Sequence, residues 1–471
     1  MFRQIFIALF IFLISISVSA QTLPKVEREF RAVWMATVDN IDFPTRKNLS
    51  VEEQKTELIK DLELAQSLKM NAVVFQVRPM CDAVYESKLE PWSEFLTGEM
   101  GRAQAFDPLA FVTEEAHRRG ILVHAWFNPY RAFHPAAKTV SANHITKRRP
   151  DLVRKYGNYL WLDPTEPEVQ EYSLSVILDV VRRYDIDGVH FDDYFYPYPV
   201  SENGGKLDFP DDKNWEKYKK AGGKLKRDDW RRKNVDDFIE SVGREIKKIK
   251  PEIMYGISPF GVSEENYKNL YADAEKWLSD GTIDYFVPQI YWKIDRPSRE
   301  FPKLLKFWES RNKQKRHVWA GIGTYKIASQ TENFSAQEIV NQISLTREIQ
   351  PTAGNIQFSF KSVRSDFDGI QSALSEKSYV RAAIIPLSPW IKTSGIAAPK
   401  VEITRDEKWV RARWTESGAK RAFWFIVYAK DRSGWSYSIL PAAEKSVALS
   451  ADRKIEEIVV RSVDRLGNES K

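Results

Sequence analysis

The chain has 471 residues, and its 71 basic side chains against 65 acidic ones leave a mild net charge of +6, scattered rather than massed as a polyanion binder would require. Its single cysteine, Cys81, excludes an internal disulfide, so burial and not covalent staples must hold the fold. Beyond the first 20 residues, no stretch approaches the roughly 20 apolar residues of a membrane span.

Residues 1–20 read as a signal peptide: Arg3 supplies the basic start, Ile5 to Ile16 is almost wholly apolar, and the small residues up to Ala20 suit cleavage before Gln21. No cysteine follows that point for lipid attachment, so the expectation is a protein exported to the periplasm or secreted, with no stable membrane span and no nucleic-acid partner. Short β-like runs then recur at 30–38, 71–77, 121–127, 187–192, 253–258, 283–290, 317–323 and 355–360, separated by stretches of helical spacing. Eight alternations with strands apolar on both faces predict the α/β class, a (β/α)8 barrel over residues 28–385. Ser50 with Glu53 and Ser335 with Glu338 have capping-box spacing, and Asp107-Pro108 and Asp163-Pro164 place a cap before a first-turn proline. Helix-to-strand joins are brief, whereas the strand-to-helix joins 78–106, 128–162 and 194–234 are long. Long ordered insertions on one rim are where barrel enzymes build their sites, so the active face is expected at the carboxyl ends of the strands.

Past Pro386 a linker-like stretch leads to short alternating runs at 401–403, 409–414, 423–428, 447–449 and 458–463. They predict a small all-β sandwich over residues 396–471, and its final run and turn, from Val460 to Asn468, look like the end of a fibronectin type III domain. Trp424 and Trp435 are read as core residues ahead of a sugar platform.

Six ordered motifs carry a specific resemblance: RAVWMATVDN at 31–40, FQVRP at 75–79, EPWS at 90–93, HAWFNPYR at 124–131, GVHFDDYFYP at 188–197 and PQIYW at 288–292. Together they resemble the bacterial glycosyl hydrolase-like family 10, formerly a domain of unknown function, across roughly residues 28 to 385. The resemblance implies a barrel glycosidase acting on bacterial or plant glycans, with a polysaccharide as partner; from the residues themselves no cofactor is expected.

Read alone, the predicted strand ends agree with a sugar site. Asp39 and Asn40 close the first strand, Gln76 and Arg78 the second, Asn128, Tyr130 and Arg131 the third, His190 the fourth, and Gln289, Tyr291 and Trp292 the sixth. Aromatic faces stack on pyranose rings while amides, guanidinium groups and carboxylates meet hydroxyls, and so many at one rim exceed what packing or capping alone requires. Glycoside hydrolysis takes two carboxyl groups, one ionised and one protonated. Asp192 follows the strand period and is expected to face the barrel mouth with His190, while Asp193 turns aside toward a neighbouring loop or a sugar hydroxyl. For the second carboxyl, Asp273 resembles an acidic position recurring in the family but also sits where a helix N-cap would; Asp39 and Asp82 are alternatives. Gln289 stands where many barrel glycosidases carry an acid. The six histidines lack metal-ligand spacing, and no metal site is expected. Against the hydrolase stands a second reading, a non-catalytic carbohydrate-binding or scaffold protein on a degenerate barrel.

Overall fold

The computed structural model describes residues 23–471 apart from 203, 330 and 333; residues 1–20, read above as a signal peptide, lie outside the described residues. Strands β1 (Phe30–Met35), β2 (Ala72–Arg78), β3 (Leu122–Phe127), β4 (Gly188–Phe191), β5 (Met254–Ile257) and β6 (Tyr285–Phe286) pair in sequence, each parallel to the last. The seventh stave, β7, runs through His317–Val318 and resumes at Ala320–Ile322 after Trp319. Its first half pairs with β6 and its second with β8 (Gly354–Gln357), which pairs in turn with β1, so the sheet curls into a nearly closed barrel.

Both strand faces are covered, which is why the strands read as apolar on both sides. Phe30, Ala32, Trp34, Val74, Leu122, Trp126, Met254, Tyr285, Trp319 and Ile356 point inward and fill the interior. The alternate residues Val33, Phe75, Val123, Val189, Phe191 and Phe286 pack outward with helix residues such as Leu58, Leu62, Val112, Ile177, Phe238 and Ile343. Large interior rings need small neighbours: a Cβ on Gly256 would lie 2.0 Å from the Tyr285 ring, and one on Gly188 would lie 2.4 Å from His124 Nδ1. The sixth strand is shorter than the predicted 283–290 because Pro288 has no N–H for the ladder; single bridges from Gln289 to Phe260 and Gly321 continue the line.

Ser50 forms the full capping box with Glu53, and Ser335 and Asp107 accept from the backbone N–H groups of Glu338 and Ala110. The cap expected of Asp163 is corrected: that helix is Pro167–Arg183, with Glu166 before it, and Asp163 is buried, accepting from Thr165 and Asn214 and pairing with Arg154. The long insertions carry structure of their own, including a three-stranded sheet of Arg131–Phe133, Tyr159–Leu162 and Val153–Tyr156.

Six antiparallel strands complete the chain: β9 (Lys400–Arg405), β10 (Trp409–Thr415), β11 (Trp424–Asp431), β12 (Gly434–Pro441), β13 (Ser446–Ser450) and β14 (Glu457–Val463). They form two sheets, β9-β10-β13 and β12-β11-β14, closed over Val410, Ala412, Trp414, Phe425, Val427 and Val460. Strand β12 escaped the sequence reading because it is half-exposed on both faces and carries serines between its apolar residues. The other face of β11, with Trp424, Ile426 and Tyr428, packs with Phe30, Ile384 and Ile385, so this all-β unit covers the end of the barrel where the strands begin. Trp424 Nε1 donates to Gly120 O at 2.9 Å, and Arg465 meets Asp185 at 2.6 Å and Asp187 at 3.3 Å, just ahead of β3 and β4. Among the described residues no helix is long and apolar enough to cross a membrane.

Candidate active site

The sheet hydrogen bonding of β4 stops at Phe191, and the next two residues, Asp192 and Asp193, lie at the opposite end of the barrel from the all-β unit. They are only 5% and 2% exposed. Asp192 Oδ2 accepts from Asn128 Nδ2 at 2.6 Å and Trp126 Nε1 at 3.1 Å, and its Oδ1 accepts from the Tyr194 N–H at 3.1 Å. Asp193 Oδ2 accepts from the Tyr198 hydroxyl.

The two carboxyls have different surroundings. Burial pushes Asp192 above the usual carboxylate range, opposed by the Arg131 guanidinium and by its three donors. Burial pushes Asp193 up to about 7, and the adjacent charge of Asp192 pushes the same way, opposed by hydrogen bonds from Tyr198 and Gln289. Like charges side by side favour a single proton on the pair, and the guanidinium and three donors around Asp192 favour its charged form. A neutral acid beside a carboxylate in an otherwise water-poor mouth can protonate a leaving oxygen while its neighbour accepts a hydrogen bond.

Asn128 is oriented from behind. Its Oδ1 accepts from Gln76 Nε2 at 2.7 Å and from Arg131 Nη2 at 2.8 Å, which turns Nδ2 toward Asp192. Gln76 is fixed in turn, its Oε1 accepting from the Thr37 and Val38 N–H groups at 2.8 and 2.9 Å. This chain of amides joins the ends of β1, β2, β3 and β4. Below it, His190 is fully buried and bonds to Tyr285 at 3.0 Å and Ser258 at 2.9 Å, while Trp34 Nε1 donates to its Nε2 at 3.3 Å. Burial and the nearby His124 hold His190 well below the ordinary imidazole range, so it is a neutral floor residue.

An aromatic wall flanks the pair. The Arg131 guanidinium lies 5.0 Å over Tyr194, whose ring meets Tyr198 at 5.2 Å; Tyr198 meets Phe260 at 6.1 Å and Phe260 meets Trp292 at 5.6 Å. Tyr291 feels the charge of both aspartates, and Gln289 Nε2 donates to Ser258 O at 2.9 Å.

The other residues singled out from sequence lie as follows. Arg78 is buried in a two-pronged pair with Glu90 at 2.9 Å, and Tyr130 is buried against Phe238. Asn40 donates to Pro44 O and Phe95 O, each at 2.9 Å, while Asp39 is exposed on the rim with φ 56°. Asp273 caps the helix Ala274–Asp280 through Lys276 N–H at 3.2 Å and lines a hollow of about 560 Å3 with Val262, Tyr267 and Phe307. Asp82 is buried, accepting from Met80 N–H. A larger hollow, about 1150 Å3, lies at the far end of the barrel, lined by Lys25, Arg316, Arg381, Trp390 and Tyr437, and includes neither Asp192 nor Asp193. Sequence reasoning missed Trp126, Tyr194 and Tyr198. The two-residue period from His124 was the signal for Trp126, whereas nothing local marks Tyr198, which the loop after β4 brings back onto Asp193.

Residues 29–338 match the model of a family described as Glycosyl hydrolase-like 10. The chain is similar to glycosyl hydrolase YngK of Bacillus subtilis (strain 168), with 37% identity over 493 aligned positions covering 97% of this chain and 94% of that one. It is 34% identical to glycosyl hydrolase DigH of Escherichia coli (strain K12) over 376 positions, covering 72% and 84% of the two chains. Its fold is similar to the PgaB (BpsB) glycoside hydrolase domain from Bordetella bronchiseptica, with TM-score 0.51 and 14% identity over 75% of this chain and 99% of that one. It is also similar in fold to the β-amylase catalytic domain from Paenibacillus polymyxa, with TM-score 0.50 and 10% identity over 75% and 98%.

Proposed function

The chain belongs to the glycosyl hydrolase-like 10 family and is a glycoside hydrolase, and from that premise we propose that Asp192 and Asp193 are its working carboxyls and a bacterial cell-wall glycan, the peptidoglycan strand, its substrate. Asp193 gives its proton to the leaving oxygen, and Asp192 enters the reaction ionised beside the reacting carbon. The observation that carries this reading is the pair itself: two adjacent buried acids at the carboxyl end of a barrel strand, one ringed by donors and one facing a carboxylate. The capping bond of Asp273 accounts for its position, so the second role passes to Asp193. The aromatic wall from Tyr194 to Trp292 supplies ring faces for pyranose stacking. Asp39 and Tyr291 complete the sugar contacts, while Gln76, Asn128, Arg131 and His190 hold the carboxyls in place from behind.

The same proposal takes residues 1–20 as the export signal, residues 28–385 as the catalytic barrel and residues 396–471 as a fibronectin type III-like unit. The sheet order of that unit, with its first, second and fifth strands in one sheet and its third, fourth and sixth in the other, supports the last assignment.

The test is incubation of the mature protein with peptide-free peptidoglycan strands beside a panel of plant and host polysaccharides, with products read by mass spectrometry. New oligosaccharides from the peptidoglycan strands, absent with Asp193→Asn, are expected. Cleavage confined to another glycan would overturn the substrate, and cleavage unchanged in Asp192→Asn and Asp193→Asn would overturn the site.

A further inference from the structure

A glycosidase that uses its own nucleophile sets its two carboxyl groups on opposite sides of the sugar, about 5–5.5 Å apart, and one that inverts sets them about 6.5–9.5 Å apart with water between. Asp192 and Asp193 are consecutive, with α-carbons about 3.8 Å apart, and enter the mouth from one strand end. Asp192 turns to Trp126 and Asn128 and Asp193 to Tyr198 and Gln289, so we infer that both meet a sugar from the strand-end side.

The other buried acids that follow strand ends are committed to the scaffold. Asp42 accepts from Ala36 N–H, Ser359 and Lys361 N–H. Glu90 holds Arg78, Glu94 accepts from Lys138 and Thr139 N–H, and Asp273 caps its helix; Asp82 accepts from Met80 N–H through Oδ1, and its unpartnered Oδ2 is sealed from the mouth by complete burial. Asp39 stands exposed on the rim. The described residues thus present an acid and a hydrogen-bond acceptor side by side, without among them a buried carboxylate free to attack from the other face.

Resting on the reading of Asp192 and Asp193 as the working pair, we propose that the attacking atom comes from the substrate: the carbonyl oxygen of a 2-acetamido group on the sugar whose bond is cut. Asp192 receives the amide N–H of that group. A carboxylate has about four lone-pair positions; Asn128, Trp126 and the Tyr194 N–H take three, leaving one for this fourth donor.

As the acetamido oxygen bonds to the anomeric carbon, the bond to the glycosidic oxygen breaks. The electron pair stays on that oxygen, which takes the Asp193 proton, and the amide proton moves to Asp192. The product is a neutral bicyclic oxazoline. Water then adds to the anomeric carbon and gives a proton to the Asp193 carboxylate; the ring opens as nitrogen recovers its proton from Asp192. Both aspartates return to their starting states, one water is consumed, and anomeric configuration is retained. Asp192 is thereby a catalytic residue that moves an amide proton and forms no bond to the sugar.

Calorimetric titration with N-acetylglucosamine-thiazoline, a stable mimic of the bicyclic intermediate, tests this without turnover. Wild type is expected to bind it about a hundredfold or more tightly than N-acetylglucosamine, as befits an intermediate mimic, and Asp192→Asn, checked for an unchanged melting curve, to lose most of that margin. Equal binding of the two sugars overturns the proposal. A second arm uses aryl chitobiosides with zero to three fluorine atoms on the acetyl group: participation lowers the rate by about tenfold or more across the series, and a rate indifferent to fluorine overturns it. So does a glycosyl ester on Asp39, or any other side chain, found by mass spectrometry of the trapped enzyme. Failure of the underlying site assignment is seen separately, as cleavage that survives Asp193→Asn.

Discussion

At the scale of the residue, the proposed chemistry turns on the different surroundings of two neighbouring acids. Asp192 has three donors and a nearby guanidinium; Asp193 has a hydroxyl, an amide and the charge of Asp192. Activity is expected to follow a bell in pH, falling on the alkaline side as Asp193 ionises near 7 and on the acid side as Asp192 becomes protonated, read from kcat/KM on a soluble oligosaccharide. Replacing either aspartate by asparagine should lower kcat by roughly a thousandfold or more. The stability effect of Asp193 has a definite sign. Its folded value, near 7, lies above the ordinary 3.8, so its contribution to stability is fully present below about 4 and is lost as pH rises through 7. Asparagine cannot ionise, so Asp193→Asn should melt higher than wild type at pH 8, with the gap closing at pH 4. The acids themselves were legible in sequence because a doubly buried strand seldom ends in two of them. Their division of labour was not, since it depends on Trp126, Asn128 and Tyr198, which lie 66, 64 and 5 residues away along the chain from their aspartates.

Elements hold those residues at angstrom tolerance. The relay from Gln76 through Asn128 to Asp192 works because β2, β3 and β4 are adjacent parallel staves, so side chains at their ends stand in one row. Asn128→Ala removes a 2.6 Å bond to Asp192 and leaves Gln76 Nε2 and Arg131 Nη2 short of an acceptor. The expected cost is about 1–3 kcal/mol in chemical denaturation, together with a shift of the acid limb of the pH profile to higher pH because Asp192 has lost a donor to its charged form. Lower down, Gly188→Ala drives a methyl to within 2.4 Å of a His124 ring pinned by Tyr285, and overpacking there should cost about 1–3 kcal/mol or more. Eight strands were readable from apolar runs because each stave is buried twice. The interruption of β7 at Trp319 was not, since it records pairing with two different neighbours and not any local preference.

For the whole molecule, the all-β unit is part of the barrel's packing. Phe423, Trp424, Ile426, Tyr428 and Leu466 share one apolar cluster with Phe30, Leu122, Ile384 and Ile385. Arg465 and Lys420 tie its edge to Asp185 and Glu252, and Arg28, ahead of β1, pairs with Glu469 of the unit. Trp424→Ala, which also strips the donor from Gly120 O, should cost about 3–5 kcal/mol. A chain ending before residue 396 would uncover that cluster, and it is expected to bind a hydrophobic dye and melt well below the full-length protein. A single melting transition for the intact chain, followed in parallel by circular dichroism and tryptophan fluorescence, checks that the two parts unfold together.

What the amino-acid order determined by itself is whatever depends on short range: strands from apolar runs, helix starts at Ser50, Asp107 and Ser335, the long loops on one rim, and a pair of acids where such a strand ends. These are legible because side-chain periodicity and capping act over a few residues. The tertiary structure alone decided the different surroundings of Asp192 and Asp193, that His190 and Arg78 are buried beneath the strand ends, that Asp273 is occupied with a cap, and that the small β-sandwich floors the barrel. Burial, charge and contact between residues far apart in the chain set these properties, and they exist only once the sheet has curled round and brought those residues together.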